Sequence, residues 1–262
     1  MVPKRIYTSI FAGLLLLAKV ASSGQTVAAD YVPNVAARYL FAAANQARAA
    51  RGLAPLRFDP ALALAALQHA REMAARGTIS HQFPGEASLE QRASTAGVRF
   101  SEIAENVAAS SDSSLIHDLW MHSPEHRRNL LDPRVTVVGI AVVAGNGRFY
   151  AVEDFADHVD ELSYREQEQA VAGLLEREGL QVLNENTRVE DARKTCRMED
   201  GYAGTRKPWF IMRYTSDRLN RLPEELESRI NSGQYSQAVV GACAMTGATP
   251  FSGYRIAVLL YP

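Results

Sequence analysis

The stretch VTVVGIAVVAGNGRFYAVEDFA, residues 135–156, decides the fold predicted for the first half of this 262-residue chain. Asn146-Gly147 divides it into two runs and favours a tight hairpin, because both residues tolerate positive φ. The run before the turn is apolar at odd and even positions alike, whereas a strand with one face in water should alternate. We therefore expect a sheet that helices cover on both faces.

Helix signals precede this hairpin in the chain. Apolar residues recur at helical spacing in residues 34–51. Asp59-Pro60 then joins a good N-cap residue to a proline at the first helical position. Further helix starts are indicated at Ser88, Ser113 and Ser123. Residues 34–157 are therefore predicted to form a three-layer α-β-α sandwich.

The second half is predicted to be a smaller α+β domain, residues 164–262, which makes the whole chain α+β. A capping box at Ser163 and Glu166 starts its first helix. Strands are predicted at residues 208–215, 237–245 and 254–261, and a second helix at residues 222–230. We find no internal repeat in the sequence and no family resemblance in this half.

Aromatic residues of the second half are candidates for a partner surface. They are Tyr202, Trp209, Phe210 and Tyr214. Aromatic residues at strand positions more often belong to a core, so both interpretations stay open.

Residues 1–29 are predicted to be a signal peptide. Lys4 and Arg5 precede an apolar run, residues 6–18, and small residues follow as far as Ala29. The run is short for the ~30 Å hydrocarbon core of a membrane, although an uncleaved anchor is the alternative. We therefore expect a secreted or periplasmic protein with no membrane span after cleavage.

Two cysteines, Cys196 and Cys243, both lie in the second half. An even number in an exported chain predicts a disulfide between them, with two buried free thiols as the alternative. Neither their spacing nor their neighbours indicate a metal or redox motif.

Charge excludes one class of partner. The 28 Lys and Arg residues nearly balance the 29 Asp and Glu residues. Binding to a phosphate backbone needs a basic surface, so we expect no nucleic-acid partner.

Three residues of the first half could carry chemistry. His81 lies in TISHQF, Glu105 in IAENVA and His126 in WMHSPEHRRNLL. Two imidazoles and a carboxylate could hold a divalent cation, Zn or Mg, although their spacing is no ligand signature. Purely structural roles are the alternative, with Glu105 accepting backbone hydrogen bonds and His126 capping a helix. The other nearby histidines are assigned no role and are expected to be exposed or partly buried: His69, His117 and His122.

Residues 45–155 resemble a CAP (SCP-like) domain, the superfamily of cysteine-rich secretory, antigen 5 and pathogenesis-related 1 proteins, in its bacterial form. The stretches that carry the resemblance are NQARAARGLAPLRFDPALALAALQHAREMAARG, SHQF, AENVA, LWMHSPEHRRNLLDPRVTVVGIAV and FYAVEDFA. The resemblance implies an α-β-α sandwich and a cleft whose floor holds two His and two Glu. His81 and His126 match the two histidines, and Glu105 matches the Glu of a Gly-Glu-Asn signature in which Ala104 replaces Gly.

The second Glu of this pattern falls on Ser123. The set is therefore incomplete, which should weaken a cation site. His122 or Glu125 could compensate, although nothing in the sequence indicates it. Ser123 itself is interpreted as the N-cap before Pro124, and it also joins the predicted cleft residues.

Two functions follow from the resemblance. The first is a non-enzymatic binding module that takes a lipid, a cell-envelope component or a protein partner in the cleft. The first half lacks Cys, a G-x-S-x-G elbow and an H-E-x-x-H helix, so no enzyme motif competes with it. The alternative is a metal-dependent hydrolase of peptides or esters that uses His81, Glu105 and His126. A hydrolase could instead use a Ser123–His126 pair.

Overall fold

The computed structural model describes residues 31–245 and 252–262. The predicted signal peptide lies outside these residues. No helix within them is both long enough and apolar enough to cross a membrane.

The first half is the predicted three-layer sandwich. Its strands form a sheet in the order β1-β3-β4-β2, with β1 parallel to β3 and the other pairs antiparallel. Its elements are α1 (Val35–Ala49), β1 (Arg57–Phe58), α2 (Pro60–Arg76), α3 (Leu89–Thr95), β2 (Phe100–Ser110), α4 (Ile116–His122), α5 (Pro124–Leu130), β3 (Val137–Gly145) and β4 (Arg148–His158). Asn146 and Gly147 both have positive φ, which confirms the predicted hairpin between β3 and β4.

Each face of this sheet packs on its own set of helices. One face buries residues such as Ile140 and Phe155 with Leu40 of α1 and Trp120 of α4. The opposite face packs on α2 through residues that include Met73. This two-sided burial explains why β3 is apolar at every position.

Two strands of this sheet were not predicted, β1 and β2. β1 has only two residues, too few for any pattern. β2 carries Glu105 and Asn106 side by side at buried positions, and these polar residues hide its strand pattern. The two predicted strands are therefore confirmed as β3 and β4, and the missed β2 carries the principal site residue.

The second half repeats the architecture of the first. Its strands form a sheet in the order β5-β7-β8-β6, again with one short parallel edge strand. Its elements are α6 (Tyr164–Arg177), β5 (Gln181–Val182), α7 (Asn186–Arg197), β6 (Phe210–Ser216), α8 (Glu224–Ile230), β7 (Gln237–Cys243) and β8 (Tyr254–Tyr261). Helices α6 and α8 cover one face of this sheet and α7 covers the other.

The structure shows a repeat of architecture, although the sequence itself shows no internal repeat. Both halves run helix, short strand, helix, strand, helix, then a pair of antiparallel strands, once the additional helices α3 and α5 of the first half are set aside. Helix α7 was missed because it buries little beyond Ala192, Thr195 and Cys196, which leaves a weak apolar pattern. The repeat therefore lies in the order and pairing of elements, which a comparison of residues does not detect.

The predicted disulfide is confirmed. Cys196 of α7 and Cys243 of β7 are bonded, with their Cα atoms 5.9 Å apart. The bond joins the helix to the sheet that it covers. Closing a loop of this length contributes about 4 kcal/mol in the chain-entropy model.

Candidate functional site

Glu105 is the centre of the candidate site. It lies in the middle of β2 with its side chain only 3% exposed. Its Oε1 lies 2.9 Å from Nδ1 of His81. Its Oε2 forms an ion pair with the guanidinium of Arg92, which is also buried. Both carboxylate oxygens are therefore engaged, and two of the three predicted residues meet.

Local sequence signals place the two partners of Glu105. Gly77 ends α2 in the left-handed conformation and turns the chain into the loop that carries His81. The capping box of Ser88 and Gln91 starts α3, which directs Arg92 towards β2.

His69 was missed as a site residue, and the expectation that it is exposed or partly buried was wrong. It is fully buried on α2, with Nδ1 2.6 Å from Oε1 of Glu86 and Nε2 2.7 Å from the carbonyl oxygen of Ser80. A carbonyl only accepts, so Nε2 carries the proton. These bonds hold the loop that presents His81. The buried helical spacing of Ala66, His69 and Met73 could have revealed it.

Two buried acids on β4 were also missed. Asp154 lies opposite Glu105 in the strand pairing, and Glu153 lies opposite Asn106. Burial raises the pKa of Glu153 to about 8. Burial and the charge of Glu105 raise the pKa of Asp154 well above its ordinary value. Adjacent acids in a strand covered on both faces had to be buried, and this was the available signal.

Asn106 brings the third predicted residue, His126, to the same region. Its side-chain amide donates to the carbonyl oxygen of His126 at 3.0 Å and accepts from Asn129 at 3.0 Å. These bonds tie α5 to β2. Burial and the nearby charge of His81 lower the pKa of His126. The backbone of His126 is thus fixed beside Asn106, the neighbour of Glu105 in β2.

Ser123 occupies the predicted N-cap position of α5, but its side chain makes no capping hydrogen bond. Its hydroxyl also makes no hydrogen bond to His126 among the described residues, so the Ser-His pair is not formed. Of the two residues that could compensate for a missing carboxylate, His122 bonds to the carbonyl oxygen of Asp118. Glu125 is exposed, and its charge adds slightly to the rise in the pKa of His81 and only partly opposes the fall in that of His126.

The part of the chain that the structure describes provides no ligand cluster for a metal. No group of three or more His, Cys, Asp or Glu side chains in residues 31–245 and 252–262 is arranged to hold an ion. Arg92 faces the oxygen of Glu105 that His81 leaves free. A metal at His81, Glu105 and His126 stays a prediction.

The pKa of one site histidine is expected to lie above the ordinary value of 6.5 and that of the other below it. The hydrogen bond to Glu105 raises the pKa of His81, whereas burial lowers that of His126. Stability from the His81–Glu105 pair is fully present below about pH 6.5 and is lost as the pH rises through the raised pKa.

Glu105→Gln should move the His81 midpoint down towards 6.5, because the charged partner is removed. His122→Ala is the control, since His122 bonds only a backbone carbonyl on its own helix. An NMR titration of the imidazole protons measures both midpoints. A His81 midpoint that Glu105→Gln leaves unchanged would contradict the pairing.

Comparison with known proteins gives a family match for the first half of the chain. Residues 41–155 match the model of the cysteine-rich secretory protein family, CAP. The chain is 29% identical over 100 residues to the uncharacterized protein YkwD of Bacillus subtilis (strain 168), covering 38% of this chain and 39% of that protein. It is 27% identical over 142 residues to the uncharacterized membrane protein YlbC of the same organism, covering 54% and 40%.

Among solved structures, the chain is similar to an extracellular protein containing a SCP domain from Bacillus anthracis str. Ames. The sequences are 28% identical, the TM-score is 0.42, and the match covers 46% of this chain and 40% of that one. The chain thus spans about two fifths of the length of the curated relatives it matches.

Proposed function

We propose that this CAP-domain protein is exported and acts as a non-enzymatic binding module. Its first half would take a lipid, a cell-envelope component or a protein partner at the cleft of His81, Glu105 and His126. Two features support export: the signal-type sequence of residues 1–29 and the disulfide, which is typical of oxidising compartments.

One observation carries the proposal: both carboxylate oxygens of Glu105 are held by neighbouring side chains. It is buried, and its two oxygens face His81 and Arg92. A carboxylate in these bonds is not free to bind a metal ion or to take a proton from water. Releasing it would leave the buried guanidinium of Arg92 without this partner, at a cost of several kcal/mol. Glu105 therefore acts as the support of the site.

His81 is the group that the cleft offers to a partner. Its side chain is 61% exposed, although Glu105 fixes its orientation through Nδ1. In the protonated ring, Nε2–H is a donor on the side away from Glu105, whereas in the neutral ring, whose Nδ1–H donates to Glu105, Nε2 only accepts. With a raised pKa, the ring is charged over a wider pH range. The cleft thus suits a partner that presents an acceptor oxygen, such as the phosphate or carboxylate of a lipid or envelope polymer.

A metal-dependent hydrolase is the competing function. It requires an ion at His81, Glu105 and His126 that lowers the pKa of a bound water. Glu105 would have to exchange Arg92 for the metal. Metal content and hydrolysis of generic esters and peptides therefore distinguish the two functions.

His81→Ala is expected to weaken binding at least tenfold, because it removes the presented donor. The measurement is sedimentation of the purified mature protein with phosphatidylglycerol vesicles and with purified peptidoglycan. The matched control is His122→Ala, which removes an exposed histidine that bonds only within its helix.

The possible results distinguish the binding module from the hydrolase. Binding to either material that falls with His81→Ala and not with His122→Ala supports the module. A stoichiometric metal that is lost in His81→Ala together with hydrolytic activity would establish the hydrolase. Equal binding by the two variants would show that the cleft takes no part in binding.

A further inference from the structure

The strand pairing aligns the two halves residue by residue at one sheet edge. In the first half Phe58 of β1 pairs with Val138, and in the second half Val182 of β5 pairs with Ala238. The last bond of each short strand also corresponds: the next residue along donates to the carbonyl of Val138 or Ala238. Two residues further along the longer strands, Ile140 therefore corresponds to Val240.

A piece of the chain itself covers this edge in the first half. The short strand β1 stops early, and the edge of β3 beyond it would otherwise be open. Tyr31 donates its hydroxyl to the carbonyl oxygen of Ile140 at 3.0 Å, and Asn34 donates its amide to that of Val142 at 2.8 Å. The ring of Tyr31 also stacks on Phe58. An extended segment that precedes α1 thus fills the groove between α1 and α2.

The corresponding groove of the second half is not filled by any residue that the structure describes. A cavity of about 660 Å³ lies between α6 and α7, and both Val182 and Val240 line it. These are the residues that correspond to Phe58 and Ile140. The segment before α6 does not cover it, because Val159 is buried in the core on the α6 side and bonds to Arg99.

The peptide group of Val240 faces this cavity. Ala238 turns its carbonyl towards β5, and Ala242 donates its N–H to Glu168 at 3.0 Å, away from β8. Because peptide groups alternate sides along a strand, Val240 also points away from β8. No hydrogen bond from another described residue reaches that outward group. Such a free strand edge is the feature that peptide-binding proteins use to take up an extended chain.

Glu168 and Arg193 close the far end of the groove. They form a two-pronged ion pair with distances of 2.6 and 2.7 Å, and Glu168 is buried. The pair leaves the groove beside Val240 free of an unpaired buried charge. The occupant therefore needs no compensating charge there, only a donor for the carbonyl of Val240 and an acceptor for its N–H.

We infer that this groove is a second binding site and that it takes an extended peptide carrying a tyrosine. The tyrosine hydroxyl donates to the carbonyl oxygen of Val240, as that of Tyr31 does to Ile140. The aromatic ring fills the space beside Val182. The first half supplies this occupant from its own chain, whereas the second half takes it from a partner.

A peptide with the sequence of residues 29–36, ADYVPNVA, tests the site because it contains Tyr31 and Asn34, the two residues that bond the edge of β3 in the first half. The whole purified protein, with labelled valine methyl groups, is titrated with it by NMR. The methyl signals of Val182 and Val240 should shift on titration. A peptide with Phe in place of Tyr should bind at least fivefold more weakly, because it lacks the donor.

Two variants of the protein sharpen the test. Gly173→Trp should weaken binding at least tenfold, since Gly173 lines the cavity and an added Cβ meets nothing nearer than 3.8 Å. Val182→Phe should tighten binding about twofold to tenfold, because it supplies the counterpart of Phe58, the ring on which Tyr31 stacks in the first half. The inference fails if the peptide shifts only valines of the first half, or if Tyr and Phe peptides bind equally.

Discussion

Replacing Arg48 with Met is expected to lower the free energy of unfolding by about 4 kcal/mol. Arg48 lies at the end of α1 and is 1% exposed. Its guanidinium donates to the carbonyl oxygens of four residues: Ala54, Leu130, Asp132 and Val135. Met fills a similar volume but donates nothing, and each buried carbonyl left without a partner costs about 1–3 kcal/mol.

Arg51→Met is the matched control for this prediction. Arg51 lies just beyond the same helix, is exposed and bonds the carbonyl oxygen of Ala47. Its replacement should change stability by no more than about 0.5 kcal/mol. Urea unfolding of both variants, followed by circular dichroism, measures the difference. Similar midpoints for the two variants would contradict the structural role of Arg48.

The apolar patterns predicted the layers of the first half and its hairpin, because burial on both faces of β3 leaves a direct trace in the sequence. Buried polar residues leave no such trace. Arg48 and His69 are both polar, and their burial is tolerated only because tertiary contacts supply their hydrogen-bond partners. A hydrophobic pattern therefore does not predict the burial of Arg48, and it indicates that of His69 only through the apolar residues on the same helix face.

The site was predicted in part for the same reason. His81 and Glu105 were found through the family resemblance, and the structure places them in contact. Arg92 and Asp154 were missed, because which buried charge meets which depends on strand register and on the angle of α3. These two residues decide the chemistry of Glu105: one occupies its second oxygen and the other lies opposite it.

The second half differs from the first at the strand positions that correspond to the candidate site. Aligned through the same pairing, Glu105 and Asp154 correspond to Ile211 and Leu259. Both residues belong to the apolar core on the α7 side. The repeated fold therefore keeps its layers and loses the polar cluster, and any binding by this half must use other surfaces.

Gly139→Ala is expected to destabilise the first half by about 3 kcal/mol or more, because helix α2 lies directly on β3 at this point. An added Cβ would lie 2.3 Å from the backbone nitrogen of Ala63 and from the carbonyl carbon of Leu62. Backbone atoms cannot rotate away as a side chain can, so α2 itself would have to move from the sheet.

The second half repeats this contact, since a Cβ on Gly241 would lie 2.3 Å from the backbone of Ala192 in α7. A matched control is Gly173→Ala, whose Cβ has ordinary space and which should stabilise α6 by up to about 1 kcal/mol. Thermal unfolding should show a fall of roughly 10 °C or more for Gly139→Ala and a small rise for Gly173→Ala. Because Gly139 pairs with Asp154, the same variant should also disturb the His81 titration. A Gly139→Ala protein as stable as the parent would mean that α2 and β3 are not in this close contact.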